Sequence, residues 1–254
     1  MLFSKQNIAL KNTGLFSSLF EDYISQSNQV KPFYNFHFSK QDFSEYLSKN
    51  SFDYLNRTVL VKALQSQAKL VANTSSASLA HIQLLENNNT YTVTTGHQLC
   101  LFTGPLYFIY KIASTINLCK ALQANFTDKH FVPVYWMASE DHDFEEINHA
   151  NVFGKKVIWN SKQNGSVGEF STEGIQEVIT ELKTILGDKE KANELISVFE
   201  KAYLKHDNLA NATRYLVNEL FGEYGIVILD GNDTELKHLF KDEFKKDIFE
   251  NTPY

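Results

Sequence analysis

Cysteine is scarce. The chain has two, Cys100 and Cys119, among 254 residues. They make no CxxC pair and no disulfide framework, and a reduced, buried state suits a cytoplasm. Long apolar runs are missing too. No stretch of about 18 apolar residues occurs, so no membrane helix is expected. The opening MLFSKQNIALKN carries too short and broken an apolar segment for a signal peptide. A cytoplasmic location follows as the expectation. Basic charge is also lacking: 24 Lys and Arg face 30 Asp and Glu, a net charge of -6, which is not the footprint of a general nucleic-acid binder. With four prolines and eleven glycines, the chain is neither collagen-like nor a Pro/Gly linker. No internal repeat or low-complexity segment interrupts it.

What is present is a globular composition, 43% hydrophobic and 13% aromatic. The length allows one large domain or two small ones, with a real core. Residues 1–89 read as a mostly helical region packed on that core. SSLFEDYISQ, DFSEYLSKN and YLNRTVLVKALQSQAKLVAN carry apolar residues at helical spacing. KPFYNFHF reads as an aromatic loop pinned into the core.

From Thr90 the pattern changes. TYTVTTG is β-branched and ends in glycine, the mark of a strand. GPLYFIYKIASTINLCKALQ follows as a helix with Ile109, Ile112, Ala113, Ile116 and Cys119 along one face. FVPVYWMA is a second strand, expected to begin after Pro133 because proline cannot donate to a ladder. ANVFGKKVIWN reads as two short strands around Gly154. Residues 171–205 are helical and charged. NLANATRYLVNELFGEYG is a helix, IVILDGND a buried strand, and DTELKHLFKDEFKKDIF one further helix capped by Asp233. Strands that are continuous apolar runs, alternating with helices, predict an α/β fold with a parallel sheet covered on both faces.

Ligands of open parallel α/β sheets bind beyond the carboxyl ends of the strands. Three stretches fall there. The first is TTGHQLCLFTGPLYFIYK. With Pro105 as the first helical residue, Gly104 is the N-cap, and the first turn's N–H groups attract an anion. Gly96 and Gly104 allow close backbone approach. Tyr107 and Lys111, four apart, share a helix face. The alternative is a tight strand-to-helix turn with Lys111 in solvent.

The second stretch, ASEDHDFEEINH, thrusts Glu140, Asp141, His142 and Asp143 straight out of a buried strand. Such groups can hold an amine, orient hydroxyls or bind a divalent ion. Zinc spacings are absent despite His142 and His149, and no tightly bound metal is expected. Glu145 and Glu146 equally suit a helix N-terminus. The third stretch is LDGND, where Asp230 suits a polyol, and Asn232 and Asp233 suit a turn and cap. Cys100 stands near His97 in sequence, so a Cys–His pair competes with simple packing. Cys119 reads as packing.

The stretches TTGHQLCLFTGPLYFIYKI, PVYWMASEDHDFEEINH and ATRYLVNELFGEYGIVILDG together resemble the bacillithiol biosynthesis cysteine-adding enzyme family, also described as cysteine ligases. That family's first motif commonly reads TG-[QH]-Q followed by TGPLY, and its second W-x-A-x-EDHD-x-EE-x-N. The resemblance runs from the aromatic N-terminal region to the end of the chain.

It implies a nucleotidyltransferase-like Rossmann core over residues 90–254, incomplete here, with 151–205 a connecting insertion. It also implies a long coiled-coil domain that this chain does not reach, since family members are about twice as long. The chain then reads as an N-terminal piece, expected to be inactive alone, of a homodimeric protein. The implied activity is the last step of bacillithiol assembly, joining cysteine to glucosaminyl malate by an amide bond. The partners are these small molecules, with neither nucleic acid nor membrane. Carried onto this sequence, Gly96, His97 and Gln98 sit at the first strand end, and Glu140, Asp141, His142 and Asp143 at the second. Thr103, Gly104, Tyr107 and Lys111 line the pocket where related nucleotidyltransferases carry a HIGH motif. HIGH itself is absent.

In the mechanism so implied, ATP is the candidate activator of the acceptor's malate carboxylate, a poor electrophile by itself. Lys111 and the helix N-terminus stabilise developing negative charge. His97 or His142 serves as general base towards the cysteine amine. The acidic cluster holds that amine and the sugar hydroxyls, with Asp230 on the substrate too. The rival readings are a metal-dependent hydrolase using EDHD and His149, and a non-catalytic nucleotide- or sugar-binding module.

Overall fold

The computed structural model describes residues 4, 6–49 and 56–251. The chain divides into two compact units, residues 1–53 and 54–254.

In the first unit, α1 (Ser18–Ile24) is capped by Ser17, whose hydroxyl accepts from the Phe20 N–H. Helix α2 spans Lys40–Lys49. Between them, residues 31–33 form one 3₁₀ turn. The rings of Tyr23, Tyr34 and His37 pack together, and Gln26 holds His37 Nδ1 at 3.0 Å. The expected pinned loop is only partly so: His37 is buried, while Phe33 is 87% exposed.

The second unit holds the sheet. Its elements are α3 (Arg57–Ala68), α4 (Ser76–Leu84), β1 (Thr90–His97), α5 (Tyr107–Asn125) and β2 (His130–Met137). The short α6 (Phe144–Ile147) precedes a hairpin of β3 (His149–Val152) and β4 (Lys155–Ile158). Helices α7 (Ile175–Leu186), α8 (Glu190–Leu204) and α9 (Leu209–Phe221) follow. Then come β5 (Val227–Asp230), α10 (Thr234–His238) and α11 (Lys241–Lys246), with a π turn over 247–251.

Strands β1, β2 and β5 form a parallel sheet in the order β1-β2-β5. This is the predicted α/β architecture, a Rossmann-like layer with β2 at the centre. Alternation along the strands sorts the two faces. Tyr135 and Met137 of β2 join a core with Phe108, Ile112 and Ile116 of α5. Val132 and Val134 point the other way, onto Val61, Leu64 and Ala68 of α3 and Ile82 of α4. Burying one Leu or Ile side chain of this kind contributes roughly 1.5–3 kcal/mol. The hairpin turns through Phe153 and Gly154, both at positive φ, as a two-residue turn requires.

Three expectations need correction. Strand β2 begins at His130, so Pro133 lies inside it, opposite Val93. The ladder to β5 starts only at Val134, so the missing N–H costs that ladder nothing. Helix α5 begins at Tyr107, two residues beyond Pro105, and Gly104 is not its cap. The predicted single helix after Asp233 breaks into α10 and α11 at Leu239–Phe240. Asp233 does cap α10, its carboxylate accepting from Leu236 N–H at 3.0 Å.

Candidate functional site

The carboxyl ends of β1, β2 and β5 stand side by side: His97 pairs with Met137, and Met137 with Asp230. The loops leaving them are stitched together. Ala138 N–H donates to the His97 carbonyl at 3.1 Å, and Gly231 N–H to the Met137 carbonyl at 3.2 Å. Gln98 Nε2 donates to Asp141 Oδ2 and to Glu146 Oε2, each at 2.8 Å. Ser139, almost fully buried, donates its hydroxyl to Asp230 Oδ1. The three stretches singled out in the sequence therefore meet at one edge of the sheet.

Within the second stretch, Asp141 folds its own loop. Its Oδ1 accepts from the N–H of His142 (2.7 Å) and of Asp143 (3.1 Å). The Gln98 bond, helped by these two N–H groups, holds its carboxyl below the usual range. His142 is exposed, with ring nitrogens 4.0 Å from Asp141 and 3.7 Å from Asp143. Ligand atoms of Asp141, His142 and Asp143 lie within 4.8 Å of one another. Asp141 Oδ1 already accepts two N–H groups, while Oδ2 accepts one from Gln98. Glu140 and Asp143 are exposed. His149 points elsewhere, to Asn148 Oδ1 at 3.1 Å.

At the first strand end, His97 is buried. Its Nδ1 faces the Gln98 carbonyl at 3.0 Å, so that nitrogen carries the proton. Nε2 is buried without a partner. Tyr107 and Phe108 pack on the ring, each with centroid 5.1 Å away. Burial lowers the His97 pKa; the Gln98 carbonyl opposes this and the Lys111 charge adds to it. Cys100 Sγ lies 3.8 Å from His97 Nδ1. Burial, with the Glu146 charge, pushes that thiol up to about 11, so it is no ready nucleophile. Cys119 is buried in the α5 face and pushed up to about 12.

Lys111 donates to the Gly96 carbonyl and shares with Tyr107, Tyr110 and Thr95 an open groove of about 410 Å³ along β1. Thr103 and Gly104 belong to a tight turn in which Gly104 N–H donates to the Leu101 carbonyl at 2.8 Å. Phe102, Thr103 and Gly104 turn through successive positive φ values of 52°, 72° and 53°. A Cβ on Gly104 would sit 2.4 Å from Cys100 Cβ, so glycine there serves the tight turn. Asp230 is held by its own turn, accepting from Asn232 N–H at 2.9 Å.

Two groups escaped sequence reasoning. Arg214 of α9 is buried and donates to the Ile228 carbonyl (2.8 Å) and to Gln67 Oε1 (3.0 Å). Gln67 also accepts from Asp230 N–H and donates to Asp233 Oδ2, both at 2.8 Å. Burial pushes Arg214 down to about 10, opposed by the charges of Asp230 and Asp233. An arginine on the apolar face of α9 was the available signal. The buried Ser139 gave none beyond its place at the strand end.

Residues 3–253 match the family model described as "Bacillithiol biosynthesis BshC, N-terminal Rossmann-like domain". A Flavobacterium johnsoniae protein named "Putative cysteine ligase BshC" is 47% identical over 249 residues, covering 97% of this chain and 47% of its own length. Its namesake from Flavobacterium psychrophilum is 46% identical over 244 residues, 95% and 46% of the two chains. One from Bacillus cereus (strain G9842) is 28% identical over 236 residues, 89% and 43% of the two. The chain thus spans about half the length of the curated relatives it matches. Among the described residues, no helix is long and apolar enough to cross a membrane.

Proposed function

Because the chain belongs to the bacillithiol biosynthesis BshC family, as its N-terminal Rossmann-like domain, we propose that the whole protein joins cysteine to glucosaminyl malate through an amide bond. The observation that carries this reading is the stitched edge: Gln98 ties the end of β1 to Asp141 and Glu146 of the acidic loop. Amide formation needs an acceptor for a proton, anions to hold an amine, and a cation for developing negative charge. All three kinds of group are found along this edge.

Lys111 supplies the cation. One of its three N–H donors goes to Gly96, and the remainder are available to an anion. No side chain caps α5, which adds a weak positive end nearby. These features suit a phosphate or a carboxylate. ATP, when bound, would supply the activation that makes a carboxylate electrophilic. His142 is the base most open to an incoming amine. His97 would act only after its buried Nε2 is uncovered. Glu140 and Asp143 would hold the amine and hydroxyls. A homodimeric, cytoplasmic, nucleotidyltransferase-like enzyme with a coiled coil in its other half goes with this reading.

The test is product formation by mass spectrometry. Full-length protein is incubated with glucosaminyl malate and cysteine, with and without ATP. Product that requires ATP, and falls at least tenfold in Lys111→Ala, is expected. Absence of product from full-length protein would move the binding-module reading ahead. Near-normal turnover in Lys111→Ala would remove the lysine's role.

A further inference from the structure

Trp136 is out of place for a residue of the central strand. Its neighbours Tyr135 and Met137 are fully buried, yet Trp136 is 41% exposed. It lies across the sheet from Gly96 on one side and Leu229 on the other. Leu229 is covered, while Gly96 presents no side chain and is exposed. A Cβ built on Gly96 would meet only the Cβ and carbonyl oxygen of Trp136, each at 3.9 Å. No β1 side chain therefore stands opposite Trp136 to cover its exposed indole, at the carboxyl end where parallel sheets bind ligands.

Its other edge meets a carboxylate. A Cβ on Gly231 would stand 2.6 Å from Glu140 Oε2 and 2.7 Å from Trp136 Nε1. The two groups thus converge on Gly231, and the missing Cβ lets both pack against its backbone. Glu140 belongs to the loop tied down by Ser139 and Asp141. A flat apolar face beside an anion favours a ring that carries positive charge: the ring stacks, the charge faces both the indole π-cloud and the carboxylate.

From this geometry we infer that Trp136, with Glu140 at its edge and Gly96 leaving its face open, is the seat of an amino-sugar ring. The proposal deepens the ligase reading and rests on it for choosing an amino sugar among cationic rings. The ring lies on the indole with its protonated amine towards Glu140. Gly96 keeps the approach to the ring clear, and Gly231 lets Glu140 and the indole edge come together.

The chain has two tryptophans, Trp136 and the fully buried Trp159, so collisional quenching of emission by acrylamide reads Trp136. Methyl glucosaminide should protect it saturably. The neutral methyl glucoside should bind roughly threefold or more weakly, and adenosine should not protect. Glu140→Gln should erase the preference for the charged sugar. Gly96→Val suits an extended strand and should abolish protection, with unchanged blue emission from Trp159 showing that the fold holds. No protection by glucosaminide, protection by adenosine alone, equal binding of glucoside, or protection that survives Gly96→Val would each overturn the assignment. The readout is binding without turnover. Loss of amide formation in the full-length assay would leave it standing, and its own failure would leave that assay untouched.

Discussion

Gln98 Nε2 stands 2.8 Å from Asp141 Oδ2 and also 2.8 Å from Glu146 Oε2. One neutral amide from the end of β1 thus holds two carboxylates of the next loop. A neutral donor can do this without adding charge to the site, and it fixes which way Asp141 turns.

Removing that donor should be visible in the titration of Asp141. Its folded pKa lies below the ordinary 3.8, with the Gln98 bond the largest cause. A depressed carboxylate pKa adds stability that is present above 3.8 and lost as the pH falls through the lower folded value. In Gln98→Ala the Asp141 carboxyl resonance should titrate at higher pH, and acid unfolding below pH 3.8 should lose part of its slope. An unshifted resonance would mean that the His142 and Asp143 N–H groups suffice.

Much of the layer order could be read from the chain. β2 and β5 are apolar runs buried on both faces over most of their length, and so continuous; the edge strand β1 is β-branched but alternates, with Thr92, Thr94 and Gly96 exposed, so the expected cover on both faces fails there. The acidic loop was legible because charge follows a buried strand without a transition. Pro133 misled, since proline's cost depends on where β5 starts, which no local rule contains. The Arg214–Gln67 pair was hidden because its members are 147 residues apart and meet only through the sheet. Gly104 read as a ligand-facing cap, whereas the nearness of Cys100 explains it.

The Arg214–Gln67 pair should matter for stability more than its lack of a direct carboxylate suggests. Arg214→Met would take the guanidinium donor from the Ile228 carbonyl and leave Gln67 Oε1 with the Asp230 N–H alone. Losing a buried partner of this kind costs about 1–3 kcal/mol. Urea unfolding should show a drop in that range or above, with Arg214→Lys recovering only part, because an ammonium lacks the planar fork that reaches both acceptors. A change below about 0.5 kcal/mol would show that the network contributes little.

Two glycines near the acidic loop should behave oppositely. A Cβ on Gly168 would lie 2.6 Å from Ser139 Cβ and 2.9 Å from the Ser139 carbonyl oxygen, to which Gly168 N–H itself donates at 2.8 Å. Neither can retreat cheaply, so Gly168→Ala should cost about 1–3 kcal/mol in thermal or urea unfolding. On Gly231 the nearest atoms are the end of the Glu140 side chain and Trp136 Nε1, at 2.6 and 2.7 Å, both on exposed side chains rather than on backbone. Gly231→Ala should lose less stability than Gly168→Ala but displace Glu140, and with it ligand binding at that edge. Equal destabilisation by the two would contradict the packing argument.

His97 should make the fold pH-sensitive on the acid side of neutrality. Its folded pKa lies below 6.5, chiefly because burial disfavours the charged ring. Between the two values the unfolded chain binds more protons than the folded one, so stability rises with pH there. As pH falls from above 6.5 towards the folded value, protonation pulls the equilibrium towards the unfolded state. The same burial leaves Nε2 without a partner, so a neutral amide can replace the ring without creating a charge. Unfolding free energies at pH 7.5 and 5.5 should therefore differ more in the wild type than in His97→Gln. If the two proteins lose stability equally over that range, His97 is already titrating as an ordinary exposed histidine, and its burial by Tyr107 and Phe108 does not persist in solution.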